Sequence, residues 1–230
     1  MCGRYASARS VEDLAEAFGI GVHDVDSVAE ADWNIAPTKP VTAVLVTDNH
    51  RRLTTLRWGL VPAWSIDPTV GARMINARIE TVADKPAFRD ALAARRCLLP
   101  ADGWYEWAVQ PGGIRQPYYL TPPDGRVIAF AGLWEIWRDA EGRLLHSATI
   151  LTGPAPDDLS HVHDRSPVVL AAADWAAWLD PDTTDVRRLL RPTGAGVVAA
   201  RPVGLAVGDV RNNAPTLTDA VELTEQPPLF

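Results

Sequence analysis

Between residues 96 and 152 the chain alternates β-rich segments with clusters of turn-forming residues, and this rhythm restricts the possible folds more than any other feature. Strands are expected over 96–99, 103–109, 117–121, 126–137 and 144–152. Pro111-Gly-Gly113, Pro122-Pro-Asp-Gly125 and Asp139-Ala-Glu-Gly142 supply the turns between the later ones. Such short links read as a β-meander, because parallel neighbours need a crossover of about a dozen residues or more. Upstream, 41–47 and 53–58 read as a hairpin joined through Asp48-Asn-His-Arg51.

Helices are few and short. Ser10 opens one in which Val11, Leu14, Ala15 and Phe18 keep helical spacing, with Gly19 as its stop. A second is expected over 86–96 with proline in its first turn, and two more over 174–179 and 184–190. Residues 74–81 read as irregular or a short strand, 168–171 as a strand, and 197–203 as a return to the sheet. No internal repeat or long linker divides the chain. The expected fold class is therefore α+β: one domain over 1–221, its mixed or antiparallel sheets curled into a barrel-like core, followed by a tail over 222–230.

Composition narrows the function. A chain of 230 residues, 47% hydrophobic, is long enough to bury most of its apolar surface. No stretch approaches the ~18 to 20 apolar residues of a membrane span, and the first ten residues lack the apolar core of a secretory signal. A cytoplasmic protein is expected. Cys2 and Cys97 are too few for a disulfide framework or a four-thiolate zinc site. The net charge of −7 argues against a generally nucleic-acid-coated surface but leaves room for a local basic groove. Of the 22 basic side chains only Lys39 and Lys85 are lysines, which leaves few side-chain amines for Schiff-base chemistry and points to the α-amino group.

Three clusters could carry chemistry. Removal of Met1 would make Cys2 the first residue, placing a thiol and a primary amine on adjacent carbons, both nucleophilic near neutral pH. The competing reading is a frayed terminus. In Trp104-Tyr-Glu106-Trp107, Glu106 either lies desolvated among aromatics, as a general acid with a raised pKa, or faces solvent from a half-buried strand. In His161-Val-His163-Asp-Arg165-Ser-Pro167, a histidine beside Asp164 and Arg165 suits an acid/base with a neighbouring phosphate contact. Asn76-Ala-Arg78 with Glu80 forms a weaker polar group. No ligand-spaced set for a metal accompanies the histidines, and neither the dinucleotide fingerprint nor the P-loop is present, so no metal or cofactor is expected.

These clusters, in this order, resemble the SOS response-associated peptidase (SRAP) family of abasic-site processing proteins. The resemblance rests on Met1-Cys-Gly-Arg4, Asn34-Ile-Ala-Pro37, Trp58-Gly-Leu-Val-Pro62 with Trp64, and Asn76-Ala-Arg-Ile-Glu-Thr81. It continues through the long run from Arg96 to Trp107, then Ala131-Gly-Leu-Trp134, Thr149-Ile-Leu-Thr152 and His163-Asp-Arg165 with Pro167. It implies Cys2 as nucleophile, Asn76 and Glu106 as orienting and protonating groups, and His163 as a second acid/base. It further implies that Arg4, Arg78 and Arg165 hold DNA phosphates, that Asn34, Pro37, Trp64 and Thr152 line the same groove, and that Arg211 and Asn212 add a contact. Ser65 departs from members that carry a bulky aromatic there. The implied activity is covalent capture of abasic sites in single-stranded DNA by a monomer, with an N-terminal-cysteine peptidase or amidohydrolase and a non-catalytic single-strand binder as alternatives.

Overall fold

The computed structural model describes residues 2–223; Met1 and the tail residues 224–230 lie outside the described residues. In chain order the strands are β1 (Tyr5–Ser7), β2 (Asp32–Ile35), β3 (Pro40–Thr47), β4 (His50–Trp58), β5 (Asn76–Arg78), β6 (Arg96–Ala101), β7 (Gly103–Val109), β8 (Arg115–Thr121), β9 (Ile128–Arg138), β10 (Leu144–Pro154), β11 (Arg165–Pro167), β12 (Val169–Leu170) and β13 (Ala199–Pro202). The α-helices are α1 (Val11–Phe18), α2 (Arg89–Ala94) and α3 (Trp175–Leu179). The class is α+β.

Strands β10, β4, β3, β6 and β9 pair in succession, and β9 pairs back to β10, so this sheet closes into a barrel. All pairs in the ring are antiparallel except β4 with β10. A second sheet, ordered β13-β8-β7-β1-β2, packs beside it. Alternation along β7 divides its side chains between two faces. Trp104 joins the cluster shared with the barrel, where Tyr5, Trp58, Cys97 and Phe130 are buried. Tyr105 faces the other way, into a cluster covered by Val203, Val207 and Leu217 from the C-terminal segment. A further cluster seats Leu14 and Phe18 of α1 and Trp175 and Trp178 of α3 against the barrel strands.

The turn chemistry explains most of the boundaries. The β3–β4 hairpin is tighter than expected: Asp48 and Asn49 both take left-handed backbone (φ 52° and 62°) and Thr47 pairs directly with His50. Asp and Asn tolerate that region, as a two-residue hairpin turn requires. Ser10 Oγ accepts from the Asp13 N–H at 3.1 Å and Gly19 closes α1 at φ 63°.

The helix expected over 86–96 is shorter, because Arg96 belongs to β6. The buried Arg96 guanidinium donates to the carbonyls of Leu92 and Ala93 in α2 and of Trp178 and Asp180 at the end of α3, so one cation caps two helix C-termini. The stretch expected as a helix over 184–190 forms only a 3₁₀ turn, Val186–Leu189. Strands β1 and β2 carried no strand expectation.

Candidate active site

Four elements bring the site together at the seam between the sheets. Cys2 precedes β1 and is 0% exposed within the shared core. Its Sγ donates to the Arg4 carbonyl at 3.8 Å, and its own carbonyl accepts from Asn76 Nδ2 at 2.8 Å. Asn76 is held by β5, which pairs with β10 in the register Asn76↔Ile150. Cys2 is therefore docked, not frayed.

Glu106 stands on β7, two residues beyond Trp104 and on the same face, and is 3% exposed. The solvent-facing reading of this residue is excluded. Burial pushes its carboxyl up to about 7. Burial, and then the Glu106 charge, push the Cys2 thiol well above its ordinary value, so the thiol rests protonated.

His163 lies in the loop before β11, with Nε2 4.0 Å from Glu106 Oε2. Its Nδ1 accepts from the Arg165 N–H at 2.9 Å and also lies 2.9 Å from the exposed Asp164 carboxylate. One Nδ1 cannot both accept from Arg165 and donate to Asp164. Burial lowers the imidazole pKa, which favours the neutral ring, with Nδ1 accepting and the remaining proton on Nε2 facing Glu106.

The residues implied to touch DNA fall into two groups. Arg78, on β5 beside Asn76, is exposed and makes no ion pair among the described residues. Trp64 is 66% exposed on the loop after β4, with Ile66 beside it 97% exposed, while Pro37 is half-buried just past β2. Arg165 forms a bidentate pair with Glu80 at 2.5 and 3.0 Å and donates to the carbonyl of buried Thr152 at 2.8 Å. Glu80 escaped sequence reasoning as a partner; the spacing of 85 residues gave no signal.

Arg4, Asn34 and the backbone carbonyl of exposed Asn212 instead belong to one intramolecular network. Arg4 Nη1 donates to Asn34 Oδ1 at 2.7 Å and to the Val207 carbonyl at 2.8 Å. Asn34 is 0% exposed, and its Nδ2 donates to the carbonyls of Val207, Asp209 and Asn212 at 3.3, 3.0 and 2.9 Å. Arg211 is exposed and paired with Asp209. Among the described residues no cluster of three or more His, Cys, Asp or Glu could hold a metal ion, and no helix is long and apolar enough to cross a membrane.

A closed barrel with a flanking sheet defines a single-domain α+β protein, and at the seam a buried thiol lies in the shared core with a buried carboxyl whose Oε2 is 4.0 Å from an imidazole. The chain belongs to the SOS response associated peptidase (SRAP) family, whose sequence profile matches residues 1–210. It is 35% identical to the abasic site processing protein YoqW of Bacillus subtilis over 96% of this chain and 100% of that one. It is 31% identical to the abasic site processing protein YedK of Escherichia coli, again over 96% and 100%. A crystal structure of a protein from Bordetella bronchiseptica matches with a TM-score of 0.75 at 29% identity, over 89% of this chain and 100% of that one. One from Bacteroides thetaiotaomicron has a TM-score of 0.85 at 22% identity, over 96% and 100%, and speaks to the fold alone.

Proposed function

We propose that the protein processes abasic sites in DNA and does so by capturing them covalently, in single strands, through the amine and thiol of Cys2. The observation that carries this reading is the convergence of Cys2, Asn76, Glu106 and His163 at one buried seam. The names of the relatives supply the substrate class.

An abasic deoxyribose equilibrates with a ring-opened aldehyde. Once Met1 is removed, the Cys2 amine condenses with that aldehyde, releasing one water and leaving an imine. The thiol then adds across the C=N bond: sulfur bonds to carbon, the thiol proton leaves, and nitrogen gains a proton. A five-membered thiazolidine results, and the net change is the loss of one water. Because amine and thiol share a residue, ring closure gains the advantage of an intramolecular reaction.

Glu106, with a pKa near 7, both gives and takes protons at neutral pH, and His163 Nε2–H faces it. Asn76 fixes the Cys2 carbonyl and hence the direction of its amine and thiol. Arg78 and Trp64 offer a cation and an open aromatic face for the strand, and Thr152, paired with Arg78, accepts from Arg165. The raised thiol pKa weighs against a peptidase, since cysteine proteases depend on a standing thiolate with a depressed pKa.

The test is incubation with uracil-excised single-stranded DNA, followed by a denaturing gel and intact mass. The expected result is a band resistant to denaturation whose mass is protein lacking Met1 plus DNA minus one water. A strand that binds and then releases fully on the gel overturns the reading in favour of a non-catalytic binder.

A further inference from the structure

The C-terminal segment crosses the outer face of the second sheet and is held there by residues next to the nucleophile. Val207 and Leu217 bury against Tyr105 and Tyr119. Asn34 ties the Val207, Asp209 and Asn212 carbonyls of the segment, Arg4 ties those of Val207 and Gly208, and Asn213 Oδ1 accepts from the Trp33 N–H at 2.9 Å.

Arg4 is the junction. Its side chain grips Asn34 and the C-terminal strap, while its carbonyl accepts both the Cys2 thiol and, at 2.9 Å, the N–H of Tyr105, the residue before Glu106. The strap is thus connected through one residue to both the nucleophile and the strand carrying the acid/base.

We infer that Arg4, Asn34 and the strap over residues 205–213 are positioning residues that hold Cys2 in register with Glu106, and that Arg4 and Asn34 do not serve as contacts to DNA phosphate. Two observations support the assignment. Asn34 has no surface to offer a ligand, since it is fully buried with both amide atoms engaged inside the protein. Arg4 spends both Nη1 donors on Asn34 and the Val207 carbonyl and reaches the Gly208 carbonyl through Nη2, lying over Trp107 on the face of the second sheet away from the seam. A residue this close to a chain end frays unless something fixes it. Here the fixing element is a distant segment of the chain.

This inference deepens the proposed capture reaction, so its test separates the two. Full-length wild type, Asn34→Asp, Arg4→Lys and the milder Asn213→Ala are compared in three measurements. These are the capture rate at saturating abasic strand, the affinity for a strand carrying an unreactive tetrahydrofuran site, and the rate at which iodoacetamide alkylates Cys2 without DNA, located by peptide mass.

Asn34→Asp keeps the oxygen facing Arg4 but loses the three amide donations. Positioning predicts that capture at saturation slows, up to the order of 10²-fold for a misplaced nucleophile. Affinity and its salt dependence stay at the wild-type level, and Cys2 alkylates faster. Arg4→Lys, which keeps the charge but loses the planar fork, behaves alike, and Asn213→Ala shows a weaker form of the same pattern.

The inference is overturned if Asn34→Asp or Arg4→Lys captures at the wild-type rate once saturated but binds the strand more weakly with a flatter salt slope. It is also overturned if alkylation of Cys2 is unchanged in all three variants. Should wild type fail to capture at all, the proposed reaction falls while alkylation still decides the strap's role. Asn213→Ala, at an exposed position, keeps that decision open if the buried substitutions prevent folding.

Discussion

Glu106 carries the sharpest consequences of burial. Its carboxyl is raised from 4.5 to about 7 in the folded protein, so the native state keeps a proton that the unfolded chain has released. Stability therefore falls as pH rises from about 4.5 to about 7 and levels off above, a change on the order of 3 kcal/mol for a shift of this size. Urea unfolding at pH 5 and pH 8 should show this loss in wild type. In Glu106→Gln it should be largely gone, leaving the variant the more stable of the two at pH 8. The same substitution should slow capture by about 10² or more, the usual scale for losing a positioned acid/base. In the proposed reaction, Cys2→Ala separates the two nucleophiles of one residue. Its amine can still form an imine, but without sulfur addition the imine acidifies the neighbouring sugar carbon and drives β-elimination. More strand cleavage and an adduct trapped only by borohydride are expected; a stable untreated adduct at wild-type yield assigns the chemistry to Lys39, Lys85 or Cys97.

At the level of elements, the loop after β4 depends on two glycines in mutual contact. A Cβ on Gly71 would lie 2.5 Å from the Gly59 carbonyl oxygen, and one on Gly59, at φ 122°, 2.5 Å from that of Gly71. The contact joins the end of β4 to the turn whose Met74 carbonyl accepts from Leu60 just before Asn76. Gly71→Ala should cost about 1–3 kcal/mol, as overpacking does, and should slow capture by displacing Asn76; urea unfolding and the gel assay check both. Elements of this kind divide by how local their determinants are. The β3–β4 hairpin and α1 were readable because alternation, caps and turn residues lie within the element. Strand β1 was not: it is three residues long and exists because Tyr5 pairs with Trp104, about a hundred residues away. Helix α2 was overdrawn because nothing local shows that Arg96 turns back to cap it. Glu106 stayed undecided for a related reason. Aromatics occupy both faces of β7, and only the barrel on one side and the strap on the other show that neither face is open to water.

For the whole molecule, the charge pattern makes a measurable statement. The chain is acidic at −7, and Arg9, Arg52, Arg89, Arg95, Arg126, Arg143, Arg165 and Arg211 all sit in ion pairs. Eight of the twenty arginines thus neutralise neighbouring carboxylates, and Arg78, next to Asn76 on β5, is an exposed cation without such a pair among the described residues. Single-strand affinity should still weaken with salt, each phosphate neutralised contributing about −0.7 to the log–log slope. Arg78→Ala should reduce that slope by about one such step; an unchanged slope would place the strand elsewhere on the surface. Order and composition of the motifs sufficed to identify the family, whereas closure of the barrel rests on a short parallel pairing of β10 with β4 that no local pattern announces.

The strap also sets a schedule for biosynthesis. Arg4 and Val207 are 203 residues apart, yet each needs the other to settle. At ribosomal speeds of about 5–20 residues per second, the segment around Cys2 waits on the order of ten to forty seconds before its anchor is made. During that interval Cys2 lacks the burial it has in the finished protein, and its thiol is open to oxidants. If capture runs through the Cys2 amine as proposed, removal of Met1 within this interval acts on a segment that is not yet anchored.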